Sequence, residues 1–349
     1  MAFCLHCGTP LDGVAFCSRC GRPAGAEQAG GPAAEVHRFA FHGEGAALLG
    51  MYLVNFLLAI VTLGIYWFWG RTKVRRYLAG AIEFAGDRFV YHGTGRELLI
   101  GWLKAGLLII LLVVQTVVWP YIVGQEAGTI VGIAVFYLAV LALVPIAIAG
   151  AWRYRLSRTS YRGIRFSFRG EAWALAKIFY GGLLLTALTL GFYYPFYANK
   201  LQRYIVANSS FGDMTFGYDG EGRDLFKDWV IALLLFIPTL TLSVTWFAVK
   251  QYNYYFDHMT FGPARFRAEF KFGDVLVLVF TNYLLVVFTL FIGFPWAVVR
   301  GLRFFFSKVS LEGTLQLATV RQRAAAASAT GEGLSDVLDL GGSDLGMGM

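Results

Sequence analysis

The chain has 349 residues, of which 57% are hydrophobic, 17% aromatic and only 15% charged, whereas an ordinary soluble domain carries about 25% charged residues. With a mean hydropathy of +0.58, and with the apolar residues gathered into long blocks, this composition excludes an ordinary water-soluble domain and points to a membrane protein. The formal charge of +8 suits basic loops facing anionic lipid headgroups and gives no reason to expect a nucleic-acid partner.

In chain order, the first element is a cysteine cluster. Cys4-Leu5-His6-Cys7-Gly8 is followed by Cys17-Ser18-Arg19-Cys20-Gly21, and the remaining residues contain no cysteine. Two CxxCG knuckles place four thiolates around one tetrahedral Zn²⁺, and the glycine after each pair admits the left-handed backbone that a tight knuckle requires. Residues 1–23 are therefore expected to form a zinc ribbon held by Cys4, Cys7, Cys17 and Cys20, with His6 as a bystander. A four-thiolate site has no open coordination position, so the zinc would be structural, its binding supplying the folding free energy of a segment too short for a core. The alternative is a redox or disulfide pair. No charged n-region or apolar h-region precedes Cys4, so the ribbon is expected in the cytoplasm. Residues 24–36, rich in Gly, Ala and Pro, read as a flexible linker.

Six apolar blocks follow, at 46–69, 98–119, 127–150, 173–196, 228–249 and 274–297. Three of them align without gaps. Thr62-Leu63-Gly64-Ile65-Tyr66, Thr189-Leu190-Gly191-Phe192-Tyr193 and Thr289-Leu290-Phe291-Ile292-Gly293 end the blocks, and Arg76-Tyr77, Arg203-Tyr204 and Arg303-Phe304 follow in register. Repeats are expected over about 37–98, 163–225 and 263–320 within a membrane domain of 37–320. Short alternating runs flank the blocks: Arg38–Phe41, Arg88–Tyr91, Arg165–Phe168, Thr215–Tyr218, Arg265–Arg267 and Thr314–Thr319. Period two with aromatics on one face predicts six short strands, paired into one sheet on one side of the membrane.

Basic residues stand at both ends of each repeated block, among them Arg71, Lys73, Arg75, Arg76, Lys200, Arg203, Arg300 and Arg303. These predict basic segments lying on anionic lipid, and blocks that enter and leave on the cytoplasmic face as re-entrant hairpins; the alternative is six ordinary crossings. Blocks 98–119 and 127–150, joined by a turn without Lys or Arg, predict a true transmembrane hairpin with Gly124 outside, while positions 80, 210 and 310 stay with the N-terminus in the cytoplasm.

The Thr-Leu-Gly block ends, the Tyr161-Arg162-Gly163-Ile164-Arg165-Phe166 run and the Tyr91-His92-Gly93-Thr94-Gly95 run resemble the YjgN family of bacterial inner-membrane proteins over about residues 38–320. The resemblance implies an integral inner-membrane protein and brings no established activity, catalytic residue or ligand. The sequence departs from the family in its added cysteine cluster and in Phe291, where Gly would match.

Chemistry is sparse. His42 and His92 precede glycines at turn positions, and Glu97 and Asp224 precede apolar helices, where acids serve the helix N-terminus. No nucleophile elbow, phosphate loop or HExxH occurs. No catalytic residue is therefore assigned and no enzyme is expected. Asn55 and Asn282 share a register in mid-block; they read either as helix contacts or as the lining of a polar path.

The expected fold is an α-helical multi-pass membrane protein with internal repeats, a small cytoplasmic β layer and an N-terminal zinc ribbon, ending in a disordered tail at 321–349. The expected function is a non-enzymatic scaffold, with a small-solute transporter or pore past Asn55 and Asn282 as alternative. Expected partners are anionic membrane lipid and a protein bound through the ribbon or the tail. Purified protein should hold one zinc, and metal analysis of Cys4→Ser/Cys17→Ser should find it lost; retained zinc would reject the ligand set.

Overall fold

The computed structural model describes residues 2–3, 10–11, 35–315, 317 and 320–322. The chain divides into two compact units, Met1–Val36 and His37–Met349. In the first, β1 (Ala2–Phe3) pairs antiparallel with β2 (Pro10–Leu11). Cys4, Cys7, Cys17 and Cys20, and with them the expected ribbon, lie outside the described residues, as does most of the 321–349 tail.

The second unit begins with β3 (Val36–Phe41), the helical hairpin α1 (Gly45–Val61) and α2 (Trp67–Ala81), then β4 (Ile82–Phe84) and β5 (Asp87–Tyr91). The longest hairpin follows, α3 (Gly95–Val123) and α4 (Gln125–Ser157), leading to β6 (Thr159–Tyr161) and β7 (Ile164–Phe168). Next come α5 (Ala172–Leu188), α6 (Tyr194–Ala207), β8 (Ser209–Phe211) and β9 (Met214–Tyr218). The chain continues through α7 (Gly222–Leu234), α8 (Leu242–Asp257), β10 (Met259–Phe261) and β11 (Ala264–Ala268), and closes with α9 (Phe272–Phe288), α10 (Phe294–Lys308) and β12 (Val309–Glu312). Strand, helical hairpin, strand thus recurs five times.

The ten strands β3–β12 close into one antiparallel barrel, in which the last strand neighbours the first. Consecutive strands such as β6 and β7 turn through two residues, Arg162 (φ 49°) and Gly163 (φ 78°). Two left-handed residues give the turn whose twist matches that of the strands it joins. The barrel interior is packed with rings: Phe84, Phe89, Tyr161, Phe211, Phe261 and Phe266 are buried, with Phe39, Phe166 and Phe216 against them. Their centroids follow one another around the wall, with Phe39–Phe84 at 4.4 Å, Phe89–Tyr161 at 4.9 Å, Phe166–Phe211 at 4.8 Å and Phe216–Phe261 at 5.1 Å. The one hydroxyl among these rings, on Tyr161, donates to the Phe84 carbonyl at 2.6 Å, which satisfies a polar group that would otherwise be costly to bury. Leu315, Leu317 and Val320 pack onto this core. The segment carrying them is tied down by the Gln322 Oε1, which accepts from Arg165 N at 2.8 Å, and by Arg321 N, which donates to Asp213 at 3.0 Å.

Among the described residues, ten helices form the other layer. Each packs on its neighbours in chain order and α10 packs on α1, so the helices also close into a ring.

The expected α-helical multi-pass fold with a small β layer is therefore corrected. The sheet is a closed ten-stranded barrel that organises the chain, and among the described residues only α3 and α4, of 29 and 33 residues, have the length and hydropathy to cross a membrane. The repeated blocks expected to turn back within themselves are helical hairpins: Thr62–Tyr66, Thr189–Tyr193 and Thr289–Gly293 are turns, with Leu63, Leu190 and Leu290 in left-handed backbone. The alternating runs near Arg38, Arg88, Arg165, Thr215 and Arg265 are β3, β5, β7, β9 and β11. Their partners escaped notice because three or four residues running straight out of a helix leave no window for period two. Thr314 and Leu315, expected to begin a sixth strand, are not in a strand; they belong to the segment packed onto the core.

Phe211 is 3% exposed and meets Tyr161, Phe166 and Phe261. Phe211→Ala should cost about 3–5 kcal/mol, read as a large fall in Tm in detergent or lipid.

Candidate functional site: the helical ring and its polar clasps

The ring is joined to the barrel by one donor per hairpin. From α2, Arg76 donates to the Gly93 carbonyl at 3.3 Å; from α4, Arg153 donates to Gly170 at 2.9 Å; from α6, Arg203 donates to Gly220 at 2.7 Å. In the fourth place Asn253 of α8 replaces arginine and makes a two-way pair with Phe270, donating to its carbonyl at 2.8 Å and accepting from its N–H at 2.9 Å. Arg303 of α10 donates to Gly43 at 3.1 Å, which ties the last hairpin to the first. In every case the acceptor lies just after the strand that starts the following hairpin. A charged donor is among the stronger hydrogen-bonding groups, and here each one clips a hairpin to its successor.

The next residue along works within the hairpin. Tyr77, Tyr204 and Tyr254 donate to the carbonyls of Glu44, Glu171 and Glu221, at 3.2, 2.7 and 3.1 Å, so that the start of each first helix is held by the end of the second. Tyr254 also donates to Asp224 at 2.6 Å; partial burial first, and this carboxylate second, push its hydroxyl up to about 12.

The most polar node lies at the base of α3 and α4. Thr94 and Glu97 form a capping box, the arrangement in which side chain and backbone satisfy each other at a helix start. Glu97 also pairs with Arg158 through both oxygens, at 2.7 and 3.2 Å, and accepts the Tyr154 hydroxyl at 3.0 Å. Sequence reading placed Glu97 at a helix N-terminus but missed Tyr154 and Arg158, which come from the far end of α4 and meet it only in three dimensions. Beside them His92 Nε2 lies 2.8 Å from Ser160 Oγ. Partial burial, and then the guanidiniums of Arg165, Arg158 and Arg76, hold the His92 pKa below its ordinary value. That surrounding favours the neutral imidazole over the imidazolium.

The expected functional residues fall as follows. Asn55 is buried and its amide donates to the Gly70 carbonyl at 3.2 Å, and Asn282 donates to Ala297 at 3.2 Å; both bonds cross between the two helices of one hairpin. The two asparagines are not brought together, since α10 stands between α1 and α9 in the ring. Of the basic residues expected on lipid, Arg75 is buried, with its Nη1 3.5 Å from the Tyr91 hydroxyl, and Arg76, Arg203 and Arg303 are the clasps described above. Lys73, Lys200 and Arg300 are exposed; Lys200 donates to Tyr193 at 2.8 Å and Arg300 to Thr281 at 3.0 Å. Among the described residues no three His, Cys, Asp or Glu side chains gather as a metal site.

Fold and site together define a barrel-based membrane protein with a ring of apolar helical hairpins. The chain belongs to the family described as bacterial protein of unknown function, DUF898, which matches residues 36–248 and 233–337. It is similar to the inner membrane protein YjgN of Escherichia coli K12, with 33% identity over 132 residues, or 38% of this chain and 31% of that protein. The same protein of Salmonella typhimurium LT2 is 30% identical over 133 residues, again 31% of its length. The aligned part of the chain thus spans about a third of the curated relatives it matches. No solved structure matches the chain.

Replacing Glu97 by Gln leaves Arg158 without its counter-charge and should destabilise by about 1–3 kcal/mol; Glu97→Leu/Arg158→Met should recover part of the loss, read as Tm. Because folding lowers the His92 pKa, its contribution is present above pH 6.5 and is lost as pH falls through the folded value. Stability should fall on mild acidification, and His92→Gln should flatten that part of the profile.

Proposed function

We propose that this protein is a non-enzymatic platform of the inner membrane, seated by α3–α4 and presenting its barrel, with the zinc ribbon and the C-terminal tail, to protein partners in the cytoplasm. The observation that carries this reading is the aromatic packing of the barrel. A barrel that conducts keeps a polar, open interior; this one is filled by rings from its strands and covered by Leu315, Leu317 and Val320.

Membrane seating is supported by α3 and α4, whose most apolar windows are 0% and 17% buried in the protein. Apolar surface of that extent is not left to water. Gly124, at the tip between them, is flanked by exposed Tyr121, Gln125 and Glu126, side chains suited to the far interface. The names of the relatives as inner membrane proteins agree with this. The transport alternative is weakened because Asn55 and Asn282 each use an amide N–H within their own hairpin.

Two measurements test the reading. A cysteine at position 124 should react with a membrane-impermeant thiol reagent added outside intact cells. Proteoliposomes loaded with glycerol or carboxyfluorescein should leak no faster than protein-free vesicles. Leakage lost in Asn55→Leu/Asn282→Leu would replace the platform by a pore.

A further inference from the structure

Four of the five hairpins end in the same kind of turn, in which a threonine hydroxyl bonds the backbone on both sides. Thr62 Oγ1 donates to the Leu58 carbonyl at 2.7 Å and accepts the Tyr66 N–H at 2.9 Å. Thr189, with Leu185 and Tyr193, repeats the pattern; so do Thr239, with Leu235 and Ser243, and Thr289, with Leu285 and Gly293. The remaining N–H groups of the first turn are bonded within it: those of Thr62, Leu63, Gly64, Ile65 and Trp67 go to the carbonyls of Leu58, Ile60, Ala59, Thr62 and Gly64. The turns at Thr189 and Thr289 show the same accounting, and residues 239–244 repeat it in the longer α7–α8 turn. At the same tips the side chains are apolar and bare: Leu63 is 93% exposed, Leu190 83%, Leu240 83% and Leu290 82%. A turn in water needs neither feature. In hydrocarbon both are required, because an unbonded N–H there costs several kcal/mol.

Depth follows from the charges. Residues 45–70, 178–199, 229–249 and 275–299 carry none. On the returning helices the first charged residues are Arg71 and Lys73, Lys200, Lys250 and Arg300, and Lys73, Lys200, Lys250 and Arg300 are all exposed. These four residues lie six to eight positions beyond the start of their helices, or about 9–12 Å at 1.5 Å per residue. With the turn added, this is close to one leaflet of a core roughly 30 Å thick. On α3, by contrast, the uncharged stretch from Lys104 to Val123 covers about 29 Å.

We infer that α1–α2, α5–α6, α7–α8 and α9–α10 insert into a single leaflet and end in the hydrocarbon near its midplane, with the basic residues at the headgroups of anionic lipid, while α3–α4 alone goes through. The ligand of this surface is lipid. The protein is then a wedge that displaces one leaflet with ten helices and the other with two. The inference rests on the membrane seating proposed above.

Depth measurement decides it. Nitroxides are placed singly at 63, 190, 240, 290 and 124 of the full chain with its four native cysteines changed to serine, in vesicles of phosphatidylethanolamine and phosphatidylglycerol. The first four should be relaxed by oxygen and protected from a water-soluble nickel chelate, with depths near the bilayer centre, and position 124 should be open to the chelate. Chelate access at 63, 190, 240 or 290 would overturn the single-leaflet insertion. Protection at 124 would instead count against the crossing by α3–α4, so the two readings fail separately. As a second readout, Thr62→Val removes the acceptor of the Tyr66 N–H and should lower Tm in vesicles, while Thr62→Ser retains it; equal Tm for the two would contradict the hydrocarbon setting of the turn.

Discussion

Every hairpin of this protein is held to the next by a donor near the end of its second helix reaching a carbonyl just past a barrel strand. Arg76, Arg153, Arg203, Asn253 and Arg303 occupy equivalent places, and the last reaches Gly43 at the start of the first hairpin. Because each donor belongs to one unit and its acceptor to the following one, the bonds close into a circle along with the strands. The helices of the short hairpins are 13 to 17 residues long, near the length at which isolated helices are marginal in water. Their arrangement therefore depends on the barrel beneath them and on these clasps.

The barrel supplies what the clasps need. Its strands are three to six residues long, and strands so short are not stable as an isolated pair. Closure removes the free edges, and the aromatic rings inside provide the burial that the strands alone lack. Leu315, Leu317 and Val320 pack against these rings, so residues past the last strand belong to the core. The aromatic filling that stabilises the barrel occupies its interior, which is why the functional reading turns to surfaces.

The polar node around Glu97 lies at the base of the longest hairpin. Thr94, Tyr154 and Arg158 all converge on one carboxylate, a denser set of bonds than at Asp224, which holds the same register in α7 and accepts from Tyr254. A pair of helices extending about 18 Å beyond its neighbours exerts more leverage on its root than they do, and the node fixes that root. Three of the four short hairpins manage with a tyrosine on a backbone carbonyl.

Much of this was legible in the chain. Long uncharged runs mark the apolar helices because the cost of a charge in an apolar setting is local to each residue, and alternating aromatic runs mark the longer strands because period two is local as well. Arg-Tyr doublets and Thr-Leu-Gly ends stood out in register, yet their roles did not: a basic residue near a membrane reads as a lipid contact until its acceptor, a carbonyl some seventeen residues on for Arg76, Arg153 and Arg203, is seen. That the repeated blocks turn back was legible in the charges at both of their ends, but the turning residues Leu63, Leu190 and Leu290 were not, since a left-handed leucine has the same hydropathy as a helical one. Barrel closure was beyond reach for the same kind of reason. It pairs β12 with β3 across almost the whole chain, and nothing in either strand specifies the other; only the packing of all ten around one set of rings decides it.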